Sequence, residues 1–216
     1  MNDKLYILVE GHGEKEAAPA LIRRLVEHHE RYEYLSLGIE VYNAKGIGNI
    51  TTRLEQLLNE VFRKLQDCKA LLILLDAEKD NYLCPLALAR ELAAIAETQR
   101  LNFPVAIVCA CCEYESWFLV SLHSIVDKWL VPGTKYSGNP DEECSAKAWL
   151  EDHMPTGQTY KERTDQVRMT FDLDIDHTIQ NSRSFRRMAN AVKELLTAID
   201  ENTKRVTPRS KASAEE

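Results

Sequence analysis

No apolar run in the 216-residue chain approaches the roughly 20 residues that a membrane-spanning helix needs. The N-terminus Met1-Asn2-Asp3-Lys4 leads straight into a strand-like segment and lacks a signal-peptide layout. Both absences make a cytoplasmic protein without membrane contact the expectation. Positive charge is short as well: 27 basic against 34 acidic side chains give a net charge of −7, which argues against nucleic-acid binding by bulk charge. That balance still permits a local basic surface, or a metal that supplies the positive charge. The six cysteines, Cys68, Cys84, Cys109, Cys111, Cys112 and Cys144, show no paired C-x-x-C spacing with downstream histidines. Neither a disulfide framework nor a structural zinc site is expected from them, and the three in one apolar segment read as small buried hydrophobes. Internal repeats are absent. The Glu10-Gly11-His12-Gly13 turn lacks the lysine and length of a P-loop and the third glycine of a dinucleotide fingerprint.

What is present is the composition of a globular domain, 44% hydrophobic and 28% charged, with length for one domain and a complete core. Leu5 to Val9, Leu71 to Leu75 and Val105 to Cys111 are continuous apolar runs of strand length. Continuous rather than alternating hydrophobicity indicates strands covered on both faces, as in a parallel sheet. Ile39 to Tyr42 adds a short strand. Helical stripes follow at Ala18 to His29, at Leu54 to Leu65 with Thr51 or Thr52 as cap, at Pro85 to Gln99, at Tyr114 to Val126, and at Phe185 to Ile199 with Ser184 as cap. Alternating strands and helices predict an α/β domain over 1–201 with a mainly parallel sheet flanked by helices and a helical or irregular C-terminal portion. Residues 131–160 read as an irregular excursion and 202–216 as a disordered tail.

Three apolar strands end in acidic residues: Glu10, then Asp76 with Glu78 and Asp80, then Glu113 with Glu115. A single carboxylate there is ordinary turn or helix-start chemistry. Three in succession point to one sheet edge, because ligands in open parallel α/β sheets bind beyond the carboxyl ends of the strands. Converging carboxylates repel one another unless a cation joins them, and oxygen donors suit Mg²⁺ or Mn²⁺. Such a metal polarises a phosphodiester and acidifies water. If Tyr114 onward is helical, only one of Glu113 and Glu115 faces such a site.

Leu8-Val9-Glu10-Gly11 with Glu14, together with Asp76-Ala77-Glu78-Lys79-Asp80, resembles the Toprim domain of topoisomerases, primases and OLD-type nucleases. Further pieces are Glu113-Tyr114-Glu115-Ser116-Trp117-Phe118-Leu119, Tyr160-Lys161 with Thr164-Asp165-Gln166, and Arg183-Ser184-Phe185-Arg186-Arg187. With these the chain resembles, over nearly its whole length, the Toprim-related bacterial family called domain of unknown function 4276. The resemblance implies a Toprim-like fold in which Glu10 is an acid/base or metal-binding glutamate and Asp76 the first metal-binding aspartate. The usual Asp-x-Asp is here Asp76-Ala77-Glu78, so either Glu78 or Asp80 serves as the next ligand, with Glu113 and Glu115 as further candidates. It also implies an AAA or ABC-type ATPase partner in bacterial anti-phage defence, and a homo-oligomer is compatible with it.

Phosphate contacts are expected from Lys161, Arg183, Arg186 and Arg187, because positive charge and free N–H groups at the start of the last helix favour anions. Among His12, His28, His29, His123, His153 and His177 only His12, between two glycines at a strand end, stands out as a phosphate contact or proton donor. Trp117, Phe118, Leu119 and Phe185 read as core. The leading expectation is a Toprim-like nuclease that uses a divalent metal on DNA or RNA phosphodiesters. The competing one is a binding or regulatory subunit that docks on an ATPase, and a third is metal-assisted phosphoryl transfer on a nucleotide.

Overall fold

The computed structural model describes residues 3–77 and 84–209. Five parallel strands, β1 (Lys4–Val9), β2 (Gly38–Asn43), β3 (Cys68–Ala77), β4 (Val105–Cys111) and β5 (Val206–Thr207), lie in the order β2-β1-β3-β4-β5. The runs that are apolar throughout are the three inner strands, covered on both faces. Leu5, Ile7 and Val9 face α1 (Gly13–His28) and α9 (Arg183–Asp200), whereas Tyr6 and Leu8 face α2 (Ile47–Glu60) and α3 (Pro85–Thr98). The period-2 alternation of side chains thus builds two cores on opposite faces of one sheet. No helix among the described residues is long and apolar enough to cross a membrane.

After β4 the chain turns at Cys112, whose φ of 63° is left-handed, and enters two short helices, α4 (Ser116–Val120) and α5 (Leu122–Trp129). The excursion that follows contains α6 (Ala146–Asp152) and leads into a π-helical turn at Glu162–Gln166, continued by α7 (Val167–Asp172) and α8 (Ile175–Asn181). A disulfide and a capping carboxylate help to fasten it. Cys144 is disulfide-bonded to Cys112, and Asp141 sits on the start of α9, accepting from Arg183 N at 2.8 Å and Ser182 Oγ at 2.7 Å. The disulfide corrects the expectation drawn from cysteine spacing, because its members are 32 residues apart and only the fold brings them together.

Three further expectations change. Ser182, not Ser184, caps α9, accepting from Phe185 N at 3.1 Å, and Ser184 is buried where it accepts Trp117 Nε1 at 2.9 Å. Helix α2 begins at Ile47, so Thr51 and Thr52 lie within it and donate back to the carbonyls of Ile47 and Gly48. Val206 and Thr207, within the segment expected to be a disordered tail, instead pair with Val105 and Ala106 as β5. A two-residue strand carries no periodicity to read.

Candidate metal centre

In the strand order β2-β1-β3-β4 the direction of winding reverses between β1 and β3, the point at which open parallel sheets form a ligand crevice at their carboxyl ends. Val9 lies opposite Leu74, so Glu10, one residue on, comes level with the end of β3 that carries Asp76. Asp76 continues the Ala70-Leu72-Leu74 face of β3, the side covered by α1. Glu14 in the first turn of α1 is 7% exposed, and Glu115 at the start of α4 is 3% exposed. The four carboxylates of Glu10, Glu14, Asp76 and Glu115 therefore converge on one crevice. Burial pushes the Asp76 carboxyl well above its usual range, and the charges of Glu14, Glu10, Glu115 and Glu113 push the same way. Burial raises Glu115 to about 7, with Glu14 adding to the shift.

Two buried neutral groups hold Glu115. Tyr160 Oη donates to its Oε1 at 3.0 Å, and Gln166 Nε2 donates to the same atom at 3.3 Å and to Glu14 Oε1 at 3.4 Å. Gln166 reaches this position from the π-helical turn, where one extra residue per turn redirects a side chain. Glycines make the approach possible: a Cβ at Gly13 would stand 2.4 Å from Gln166 Oε1, and one at Gly11 would stand 2.4 Å from Glu14 Oε2. Gly13→Ala should displace the Gln166 amide and, on the reading of these carboxylates as a cation site, weaken Mn²⁺ binding about tenfold. The added methyl crowds fully buried Gln166 and should cost about 1–3 kcal/mol of stability; a calorimetric titration beside a thermal melt reads both.

Glu14 Oε2 and Gln166 Oε1 are buried oxygens without a hydrogen-bond partner. Together with the neighbouring carboxylates they present oxygen atoms alone, the donor type that Mg²⁺ and Mn²⁺ take and a softer ion does not. Among the described residues no group of three or more His, Cys, Asp and Glu side chains stands placed to hold a metal ion. Glu78 and Asp80 lie outside the described residues.

The other sequence candidates separate. Glu113 is drawn away, its Oε2 accepting Lys147 N at 2.9 Å at the start of α6, so Glu115 is the member of the pair that faces the crevice. His12 is exposed on the loop between Glu10 and Glu14, and Lys161, also exposed, follows Tyr160. The α9 N-terminus and Arg186 are engaged within the fold, while the Arg183 side chain is exposed. Asp141 already occupies the α9 N-terminus, and the Arg186 guanidinium donates to the Ile179 and Gln180 carbonyls at 2.9 and 2.8 Å, closing the end of α8. Half-buried Arg187 lines a separate cavity of about 200 Å³ between α3 and α9, with Cys109 and Glu194. Glu14 and Gln166 were missing from the candidate residues, although both stand in the motif segments.

A family model described as "Domain of unknown function (DUF4276)" matches residues 9–193. The chain belongs to this family. No curated protein and no solved structure matches it. The DUF4276 match takes in every side chain of the crevice, from Glu10 to Gln166. Two of its distinctive segments prove mainly architectural. In Glu113-Tyr114-Glu115-Ser116-Trp117, Tyr114 bonds Thr170 at 2.9 Å, Ser116 donates to the Cys111 carbonyl at 2.9 Å, and Trp117 meets Ser184. The Arg183-Ser184-Phe185-Arg186-Arg187 segment receives it, with the Trp117 and Phe185 rings edge to face at 5.2 Å. Only Glu115 of the two segments enters the crevice.

Proposed function

We propose that this DUF4276 protein is a divalent-metal-dependent phosphodiesterase acting on DNA or RNA, beside an AAA or ABC-type ATPase in anti-phage defence as the Toprim resemblance implies. The observation that carries the catalytic part is the convergence of Glu10, Glu14, Asp76 and Glu115 at the switch between β1 and β3. Glu10, Glu14 and Asp76 would hold Mg²⁺ or Mn²⁺, with Glu115 behind them. When bound, the cation supplies Lewis-acid polarisation of the phosphodiester. Glu10 accepts the proton of the attacking water on its carboxylate. Both Tyr160 and Gln166 donate to Glu115 Oε1, so the proton that Glu115 carries below about pH 7 resides on Oε2. Tyr160 and Gln166 thereby fix the orientation of that carboxyl.

The charge balance favours a second reading. With a net charge of −7 and Arg186 engaged within the fold, the chain suits a subunit that docks on an ATPase and acts through it. A calorimetric titration of Mn²⁺ into the protein, run in parallel on Asp76→Asn, decides between them. The enzyme reading expects binding that the substitution abolishes. No binding at millimolar Mn²⁺, or binding unchanged in the variant, would favour the docking subunit.

A further inference from the structure

Beside the carboxylate crevice, at the carboxyl end of β2, lies a cavity of about 230 Å³ lined by Tyr42, Asn43, Lys45, Asn49, Arg53 and Leu57, among others. In a chain of net charge −7 this lining holds two cations and no carboxylate. Neither Lys45 nor Arg53 forms an ion pair among the described residues. Arg53 Nε donates only to the neutral Gln56 Oε1, at 3.0 Å. Lys45 is held at a φ of 61°, a left-handed backbone that non-glycine residues rarely adopt. Asn43 Oδ1 fixes it by accepting Lys45 N at 2.7 Å, and Asn49 Nδ2 donates to the Ala44 and Lys45 carbonyls at 2.9 and 3.0 Å.

The cavity wall is bonded directly to the loop that carries Glu10. Ala44 N donates to Val9 O at 2.8 Å, Gly46 N to Glu10 O at 2.8 Å, and Asn43 Nδ2 to Gly11 O at 2.6 Å. Tyr42 is 38% exposed and is braced from behind by Phe62, edge to face at 5.9 Å. An exposed aromatic ring beside cations that have no ion-pair partner among the described residues is the combination that holds single strands, in which bases are free to stack on protein rings.

We propose that this cavity is a subsite for the nucleotide flanking the scissile phosphodiester of a single-stranded nucleic acid, with Lys45 and Arg53 on its phosphate and Tyr42 against its base. The inference rests on reading the neighbouring carboxylates as a phosphodiesterase centre and names the form of substrate that centre receives. Carboxylates alone repel a polyanion, so the strand needs cations close to the reacting bond, and Lys45 and Arg53 stand next to the Glu10 loop.

The test is fluorescence anisotropy of fluorescein-labelled single-stranded DNA and RNA oligonucleotides, titrated with the full chain in Ca²⁺ at several salt concentrations. Lys45→Asn removes the charge with a residue that tolerates the left-handed backbone, and Arg53→Gln keeps a good helix former. Each should lower the slope of log affinity against log salt by about 0.7, and Tyr42→Ala should weaken binding about tenfold. Lys193→Gln, on the exposed side of α9, should change neither. Mn²⁺ binding by calorimetry should survive in the Lys45 and Arg53 variants, which reports an intact fold and crevice. Wild-type binding of the oligonucleotide that the three substitutions leave unchanged, or that Lys193→Gln weakens equally, would overturn the subsite alone. Absence of oligonucleotide binding by the wild-type chain would overturn the phosphodiesterase reading with it. Tighter binding of a blunt duplex than of either single strand would overturn the choice of substrate.

Discussion

Asp76→Asn should reduce metal-dependent phosphodiester cleavage about a thousandfold and at the same time raise the melting temperature of the metal-free protein. The two effects have opposite signs because the same carboxylate is responsible for both. Asp76 is held at the end of β3 among Glu14, Glu10, Glu115 and Glu113, and its raised pKa records the free energy that ionisation costs there. An amide of nearly the same shape removes that repulsion and leaves β3 packed as before. It also removes the anionic donor that a hard cation requires. A purely structural aspartate would behave differently, since its loss would lower the melting temperature and any activity together. Thermal melts in a chelator, paired with a cleavage assay in Mn²⁺ on single-stranded and duplex substrates, read the two signs directly.

The metal-free protein should be more stable at pH 5 than at pH 8, and saturating Mn²⁺ should shrink or reverse that difference. Glu115 is the group that sets the window. In the unfolded chain a glutamate releases its proton near its ordinary value of 4.5, whereas in the fold burial holds the proton until about pH 7. Between those values the folded state binds more protons than the unfolded one, so stability falls as pH rises. The interval corresponds to roughly 3 kcal/mol for this group, and Asp76 adds in the same direction. A bound cation binds the folded state and replaces the missing proton, and so restores stability on the alkaline side. Urea unfolding from pH 4.5 to pH 8, with chelator and with Mn²⁺, gives both curves. A chelator curve that rises with pH would contradict the charge arrangement described.

Much of this architecture is legible in the residues alone, for a specific reason. Strands β1, β3 and β4 are buried on both faces, and double burial writes itself as an unbroken apolar run with a sharp acidic end. From those ends and the rule for parallel sheets, Glu10, Asp76 with Glu78 and Asp80, and one of Glu113 and Glu115 could be expected at one edge, but which of the last pair could not be read. Glu14 and Gln166 could not be expected there. Glu14 looks like an ordinary acidic residue in a helical first turn, and Gln166 enters through a π-helical turn that has no sequence signature. Arg186 and the N-terminus of α9 are engaged elsewhere because a basic helix start is also how a fold closes on itself. Here the required anion is Asp141, 42 residues before Arg183 in an excursion without periodicity. The Ser184 cap failed for a related reason, since its hydroxyl serves Trp117 while Ser182 is free to cap. Short β5 is recognisable only from its pairing with β4.

The strand order β2-β1-β3 has a kinetic consequence. The carboxylates of Glu10 and Asp76 become neighbours only when β1 and β3 pair, and β2 and α2 lie between those strands in the chain. Pairing of such sequence-distant strands is a slow event in folding. The repulsion within the crevice therefore falls on the same step as formation of the centre of the sheet. The protein assembles its scaffold against the charge of its own site, and a cation able to join that step would act on the rate at which the chain becomes native.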